Sequence, residues 1–247
     1  ELLITIGTGG QVFAPLCEPL VDDKLRIHTF CHAIPGFWHL LGATLCAGLS
    51  LSWFKKSILD SPLQAFDFKE LDREAQKVEA GSQGLIFLPY LTGERTPHAD
   101  PYARGVFFGL TLKHRKNEMV RAVMEGVTFG MRDSFEIMRE MNIPIQEVRA
   151  IGGGARSALW RKIQASIYEV PLWGVKIDEG PAFGAALLGA VGRGVFSSVE
   201  EASEKAVKVT EQVLPSPELV DYYNKAYRLY RDLYPALRDF YPRLQEL

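Results

Sequence analysis

The chain has 247 residues, 47% of them hydrophobic and 23% charged, with 28 Lys and Arg against 30 Asp and Glu. That is ordinary globular composition, long enough for one large domain or two small ones. A formal net charge of -2 excludes the basic footprint of a nucleic-acid binder.

Two short extended runs, 2–6 and 12–16, flank Gly7, Thr8, Gly9 and Gly10 and predict a hairpin with a glycine turn. The stretch 33–54 carries no Asp, Glu, Lys or Arg and is long enough to cross a bilayer. It also holds Pro35, His39, Ser50 and Ser52, and no positive cluster precedes it. It therefore reads as a helix opened by Pro35 and Gly36, running to about Lys56 and buried on all sides, and no membrane partner is expected. A charged, exposed helix is expected over 68–80, stopping at Gly81, and a buried strand over 85–88. Residues 89–104 read as a polar loop with three prolines, of a length that often carries function, and 105–110 as extended.

The clearest helical period lies at 116–141, where Met119, Val123, Val127, Met131, Phe135 and Met138 fall at steps of three and four, ended by Pro144. A strand at 148–151 runs into Gly152, Gly153 and Gly154; a helix at 157–168 and a strand at 172–177 follow. Pro181 suits the first turn of a helix reaching Gly192. Residues 202–209 read as helical. A terminal helix is expected over 217–241, with Tyr223, Tyr227, Tyr230 and Tyr234 as a packing stripe. Strands first, then helices alternating with strands, indicate an α/β or α+β layered domain. Cys17, Cys31 and Cys46 are odd in number and form no Cys-x-x-Cys pattern. They read as small buried hydrophobes, reduced thiols of a cytoplasmic protein. No signal peptide is visible, and Glu1 in place of Met suggests a fragment or trimmed domain.

Three glycine-rich turns could hold an anion: Gly7 to Gly10, Gly152 to Gly154, and Gly180 with Gly184. Glycine after a strand lets a ligand approach the backbone, and a following helix offers free N–H groups at its positive end. Thr8 adds a hydroxyl donor, and Arg156 could reach a phosphate as readily as solvent. The small-residue helix from Phe183 reads as packing in preference to a nucleotide slot. Neither the Rossmann fingerprint nor the P-loop pattern is present. No Ser/His/Asp set and no metal-ligand spacing stand out, and Glu94, Asp100 and Asp133 are general-base candidates only by default.

Four blocks, GERTPHADPYARGVFFGL from Gly93, RAVMEGVTFGMRD from Arg121, IGGGARSALWRKIQASI from Ile151 and EGPAFGAALLGAVGRG from Glu179, resemble in that order the C-terminal half of the FGGY carbohydrate kinases. The resemblance spans nearly the whole chain. It implies an α/β domain of the actin-like, ribonuclease H-like ATPase fold, a mixed β-sheet flanked by helices, with residues 1–247 as the nucleotide-binding half. It implies ATP and Mg2+ as cofactors, and a sugar held mainly by an N-terminal domain outside the chain. The ERTP–HADP–ARG block leans towards members that phosphorylate the ketopentose D-xylulose over those acting on glycerol. Gluconate and ribulose kinases, and a non-catalytic actin-like nucleotide-binding module, stay open as alternatives.

By the same resemblance Gly7, Thr8 and Gly9 border the terminal phosphates, and Gly48 in CAGLSLSW approaches the phosphate chain. Gly153, Gly154 and Ala155 border the adenosine, and Ala158 stands where glycerol kinase places an asparagine against adenine. Arg104 is expected to brace the long loop. The catalytic aspartate is expected upstream of Glu1, with no metal ligand in the chain, and a homodimer is possible by analogy with family members.

Overall fold

Strands β1 (Leu2–Ile6) and β2 (Gly10–Leu16) form the expected hairpin, antiparallel with Ile4 opposite Val12 and Ile6 opposite Gly10. Alternation sets their faces: Leu2, Ile4, Ile6, Val12 and Ala14 are buried, while Leu3, Thr5 and Phe13 lie half-buried on the other side. These strands sit inside a seven-stranded sheet of a computed structural model that describes residues 1–60, 65–177 and 180–247.

The uncharged stretch 33–54 is not one helix. Pro35 and Gly36 lie in the turn joining β3 (His28–Cys31) to β4 (Trp38–Thr44), where Gly36 takes φ of +84°. β4 pairs with β2 from Leu16 opposite Trp38 to Gly10 opposite Thr44. Only α1 (Gly48–Phe54) is α-helical there, continued by a π-helical turn over Lys55–Leu59. Leu40 faces the core and Leu41 the opposite side, so apolar residues occupy both faces and the two-residue period is lost. Among the described residues, no helix is long and apolar enough to cross a membrane.

A capped helix α2 (Phe68–Gln76) follows, its first turn closed by Glu70 N–H donating to the Asp67 carboxylate. It is shorter than expected. A separate two-stranded sheet pairs β5 (Ile86–Leu88) with β6 (Val106–Phe108), on either side of the long loop. Helix α3 (Lys116–Glu140) confirms the strong period and lies buried along most of its length. β7 (Val148–Ile151) then runs parallel to β1, with Ala150 opposite Ile4. The one-turn α4 (Gly153–Arg156), α5 (Ala158–Tyr168) and β8 (Leu172–Val175) complete a parallel crossover, with Val148 opposite Leu172.

After α6 (Gly180–Gly192), the segment read as a helix at 202–209 divides: α7 (Val199–Ala206) begins earlier, capped by Ser198, and β9 (Val209–Val213) is an exposed edge strand antiparallel to β8. Its Thr-Glu-Gln centre has no buried face to betray it. The sheet order is β3–β4–β2–β1–β7–β8–β9. It is mixed and flanked by helices, as expected for the α/β class.

The inner sheet face packs on α3 and α5, and α8 (Pro217–Leu237) covers α3 from outside. The tyrosine stripe is packing: Phe129 sits 5.5 Å from the Tyr230 ring and 5.9 Å from Tyr227. Of the cysteines only Cys46 is buried; Cys17 and Cys31 are exposed, one just after β2 and the other on the edge strand β3. Positions 178 and 179, where the fourth block begins with Glu179, lie outside the described residues.

Candidate functional site

Two of the three glycine turns converge. The β1–β2 turn, the start of α1 and the β7–α4 turn meet at one end of the sheet, and their backbones touch. A Cβ on Gly48 would lie 2.4 Å from the Gly7 carbonyl oxygen, and one on Gly154 2.6 Å from the Ile6 side chain. Glycine at these two positions is therefore demanded by the protein's own close approach. Gly7 and Gly153 differ: a Cβ there would meet nothing nearer than 3.8 Å and 3.7 Å.

Backbone hydrogen bonds fix the junction. The Ala47 and Leu49 amides donate to the Thr8 carbonyl at 3.0 and 3.1 Å, and the Gly48 amide donates to Gly7 at 2.8 Å. The start of α1 is thus docked on the turn's carbonyls and holds the turn in shape. The Gly7 amide is likewise engaged, donating to Gly9 at 3.0 Å. The Thr8 hydroxyl and the Thr8 and Gly9 amides have no protein partner among the described residues.

Beside this junction opens a cavity of about 500 Å³, the scale of a small-molecule site. Gly7, Thr8, Gly48 and Gly153 line it, together with Leu49, Leu51 and Ser52 of α1 and Met124 of α3. The far wall was invisible in the sequence: Phe68, Lys69 and Asp72 of α2 face Arg156, Ser157 and Trp160. Ser157 caps α5, accepting from Trp160 N–H at 2.9 Å, and its hydroxyl donates to the Asp72 carboxylate. The Trp160 indole N–H donates to the Met124 carbonyl at 3.1 Å and to the Thr128 hydroxyl at 3.0 Å, which fixes the ring as a wall. Three charged side chains, Lys69, Arg156 and Asp72, reach the cavity wall.

Of the other expected site residues, Gly9 and Gly154 adjoin the junction without lining the cavity, Ala155 borders a second pocket with Arg161 and Lys176, and Ala158 is exposed. The third glycine turn, Gly180 with Gly184, lies on the outer sheet face beside Leu3 and Phe13. The default general bases lie elsewhere too. Glu94 is buried, accepting from the Leu45 and Arg95 amides, and burial pushes its carboxyl up to about 8. Asp133 is buried beneath Tyr227, whose hydroxyl donates to it at 2.6 Å, and burial raises it to about 7. Asp100 accepts from Tyr234.

Residues 2–193 match the domain described as "FGGY family of carbohydrate kinases, C-terminal domain". The chain belongs to the FGGY family. It is similar to a xylulose kinase of Staphylococcus epidermidis, 38% identical over 232 residues, which cover 94% of the chain and 46% of the relative. It is also similar to a gluconokinase of Bacillus subtilis, 35% identical over 212 residues, covering 83% of the chain and 41% of the relative. Its fold superposes on the ligand-bound xylulose kinase of Lactobacillus acidophilus with a TM-score of 0.87 at 28% identity, over 98% of the chain and 48% of that structure. The chain spans about half the length of these relatives.

In this FGGY domain the long loop is held by polar contacts. The Arg104 guanidinium donates to the Pro101 and Ala103 carbonyls, bracing the loop as expected. The buried Glu94 ties the same loop to the end of β4 through the Leu45 amide at 3.0 Å. Among the described residues, no group of three or more His, Cys, Asp or Glu side chains is placed to hold a metal ion.

Proposed function

We propose that this chain is the nucleotide-binding half of a sugar kinase that transfers the γ-phosphoryl of ATP to D-xylulose, giving xylulose 5-phosphate. The observation that carries the reading is the convergence of the β1–β2 and β7–α4 turns on one cavity. Phosphoryl transfer asks for positioning and charge stabilisation more than for covalent help. Thr8 offers a hydroxyl and an amide to the phosphate tail, Gly153 leaves its path open, and Lys69 offsets its charge. The apolar surfaces of Leu49, Met124 and Trp160 suit a nucleobase. Mg2+ would neutralise the tail. Among the described residues Asp72 is the one carboxylate lining the cavity, and it is bonded to Ser157, so we assign the metal ligands, the base and the sugar contacts to sequence outside these residues.

The similarity to a gluconokinase favours D-gluconate as the second reading. A coupled assay on the intact enzyme with Mg-ATP and D-xylulose, D-gluconate, D-ribulose or glycerol separates them. The highest kcat/KM is expected with D-xylulose; a higher value with D-gluconate reassigns the substrate, and no turnover with any of the four refutes a kinase of this class.

A further inference from the structure

The phosphate end of the cavity is accounted for by its glycine turns, but its opposite wall is not. That wall is α2, joined to the rest of the site by a polar contact between Asp72 and Ser157. Asp72 sits one turn after Lys69 on the same helix face, and both line the cavity, while Leu71 and Ala75 turn inward to the core. The Ser157 hydroxyl donates to Oδ1 of Asp72 and itself accepts from the Trp160 amide, so the carboxylate is held in one orientation. Its Oδ2 has no protein partner among the described residues. A carboxylate accepts hydrogen bonds and donates none, so this oxygen selects ligand groups that carry O–H or N–H.

The nucleotide reading of the cavity limits which group that is. The phosphate tail starts at Thr8 and passes Gly153, and Ser157 lies one helical turn beyond Gly153. The side chains nearby, Met124, Trp160 and Leu49, are apolar and take a base by contact. The section between tail and base is the sugar, whose hydroxyls are the donors in reach of that acceptor. We propose that Asp72, oriented by Ser157, accepts a hydrogen bond from a ribose hydroxyl of the bound nucleotide and makes the site selective for ribonucleotides. This rests on the nucleotide reading above and deepens it. A hydrogen bond to a charged acceptor is among the stronger kinds, and losing it costs on the order of tenfold or more in affinity.

The test is calorimetric binding of ADP and of 2′,3′-dideoxy-ADP to the wild-type protein and to Asp72→Ala and Ser157→Ala. Asp72 is only half-buried, so the alanine variant keeps its fold, and melting curves verify this. Wild type is expected to bind ADP roughly tenfold or more tightly than the dideoxy compound. In Asp72→Ala the two affinities become equal, and in Ser157→Ala they draw closer. A purely structural latch would weaken both ligands alike and leave their ratio unchanged; that result overturns the proposal while leaving the nucleotide site standing. Failure of wild type to bind ADP at all overturns the nucleotide reading and this inference with it.

Discussion

Replacing Gly48 by alanine separates glycines required by the protein from glycines left open for a ligand. The new Cβ would lie 2.4 Å from the Gly7 carbonyl oxygen, about 1 Å closer than ordinary contact allows, and that oxygen belongs to backbone. Relief requires moving the β1–β2 turn away from α1, which strains the 2.8 Å hydrogen bond from Gly48 and the 3.1 Å bond from Leu49. Overpacking of this kind costs about 1–3 kcal/mol and a weakened backbone bond about 1 kcal/mol more. The better helix propensity of alanine offsets about 0.5–1 kcal/mol. The net loss is about 2 kcal/mol, which lowers Tm by about 4–8 °C in a chain of this length. Urea titration at constant m-value measures it. Gly153→Ala is the control: its Cβ meets nothing nearer than 3.7 Å, so stability stays within about 1 kcal/mol of wild type while ATP affinity falls. A Gly48→Ala protein as stable as wild type would refute the close-approach argument.

Glu125→Ala should be severely destabilising, by about 3–5 kcal/mol, because it leaves Arg121 charged and buried without its 2.8 Å partner and removes the acceptor of Gly81, Ser82 and Tyr223; chemical denaturation showing a loss under about 1 kcal/mol would contradict the buried pair. Stability should fall as pH rises from about 5 to 8. An unfolded Glu94 releases its proton near the usual 4.5, whereas the folded chain keeps it until about 8, so the unfolded state binds fewer protons throughout that window. Glu94→Gln should flatten this slope by up to about 4 kcal/mol, with unfolding measured at both ends of the range; parallel slopes in the two proteins would show that Glu94 ionises normally. Thr8→Val keeps the shape of the turn and removes a hydroxyl, so nucleotide affinity should drop on the order of tenfold with Tm unchanged, and equal affinity would remove Thr8 from the site.

Much of the fold was legible wherever one period dominates. The β1–β2 hairpin, α3 with its Met and Val stripe, β7 entering the glycines, and the Tyr223–Tyr234 face of α8 all present one buried side. Where both faces are apolar, as in β4, or both polar, as in β9, the period vanishes and the element type is lost. The buried Arg121 and Glu125 look in sequence like an exposed i,i+4 ion pair, and Asp133 like a solvated carboxylate; the tyrosines of α8, about a hundred residues away, cover all three. The site divides in the same way. Glycines after strands announce one end of the cavity because they are local. The wall made by Phe68, Lys69 and Asp72 gives no signal, since a charged helix resembles a solvated one until Ser157 is brought against it across 85 positions.

The most direct test is a crystal structure with a non-hydrolysable ATP analogue. Its terminal phosphates are expected at the Thr8 amide and hydroxyl, its chain passing Gly153, and its base beside Trp160. Density for the analogue in the groove between α6 and the outer sheet face, or bound away from Thr8 and Gly153 altogether, would contradict this placement.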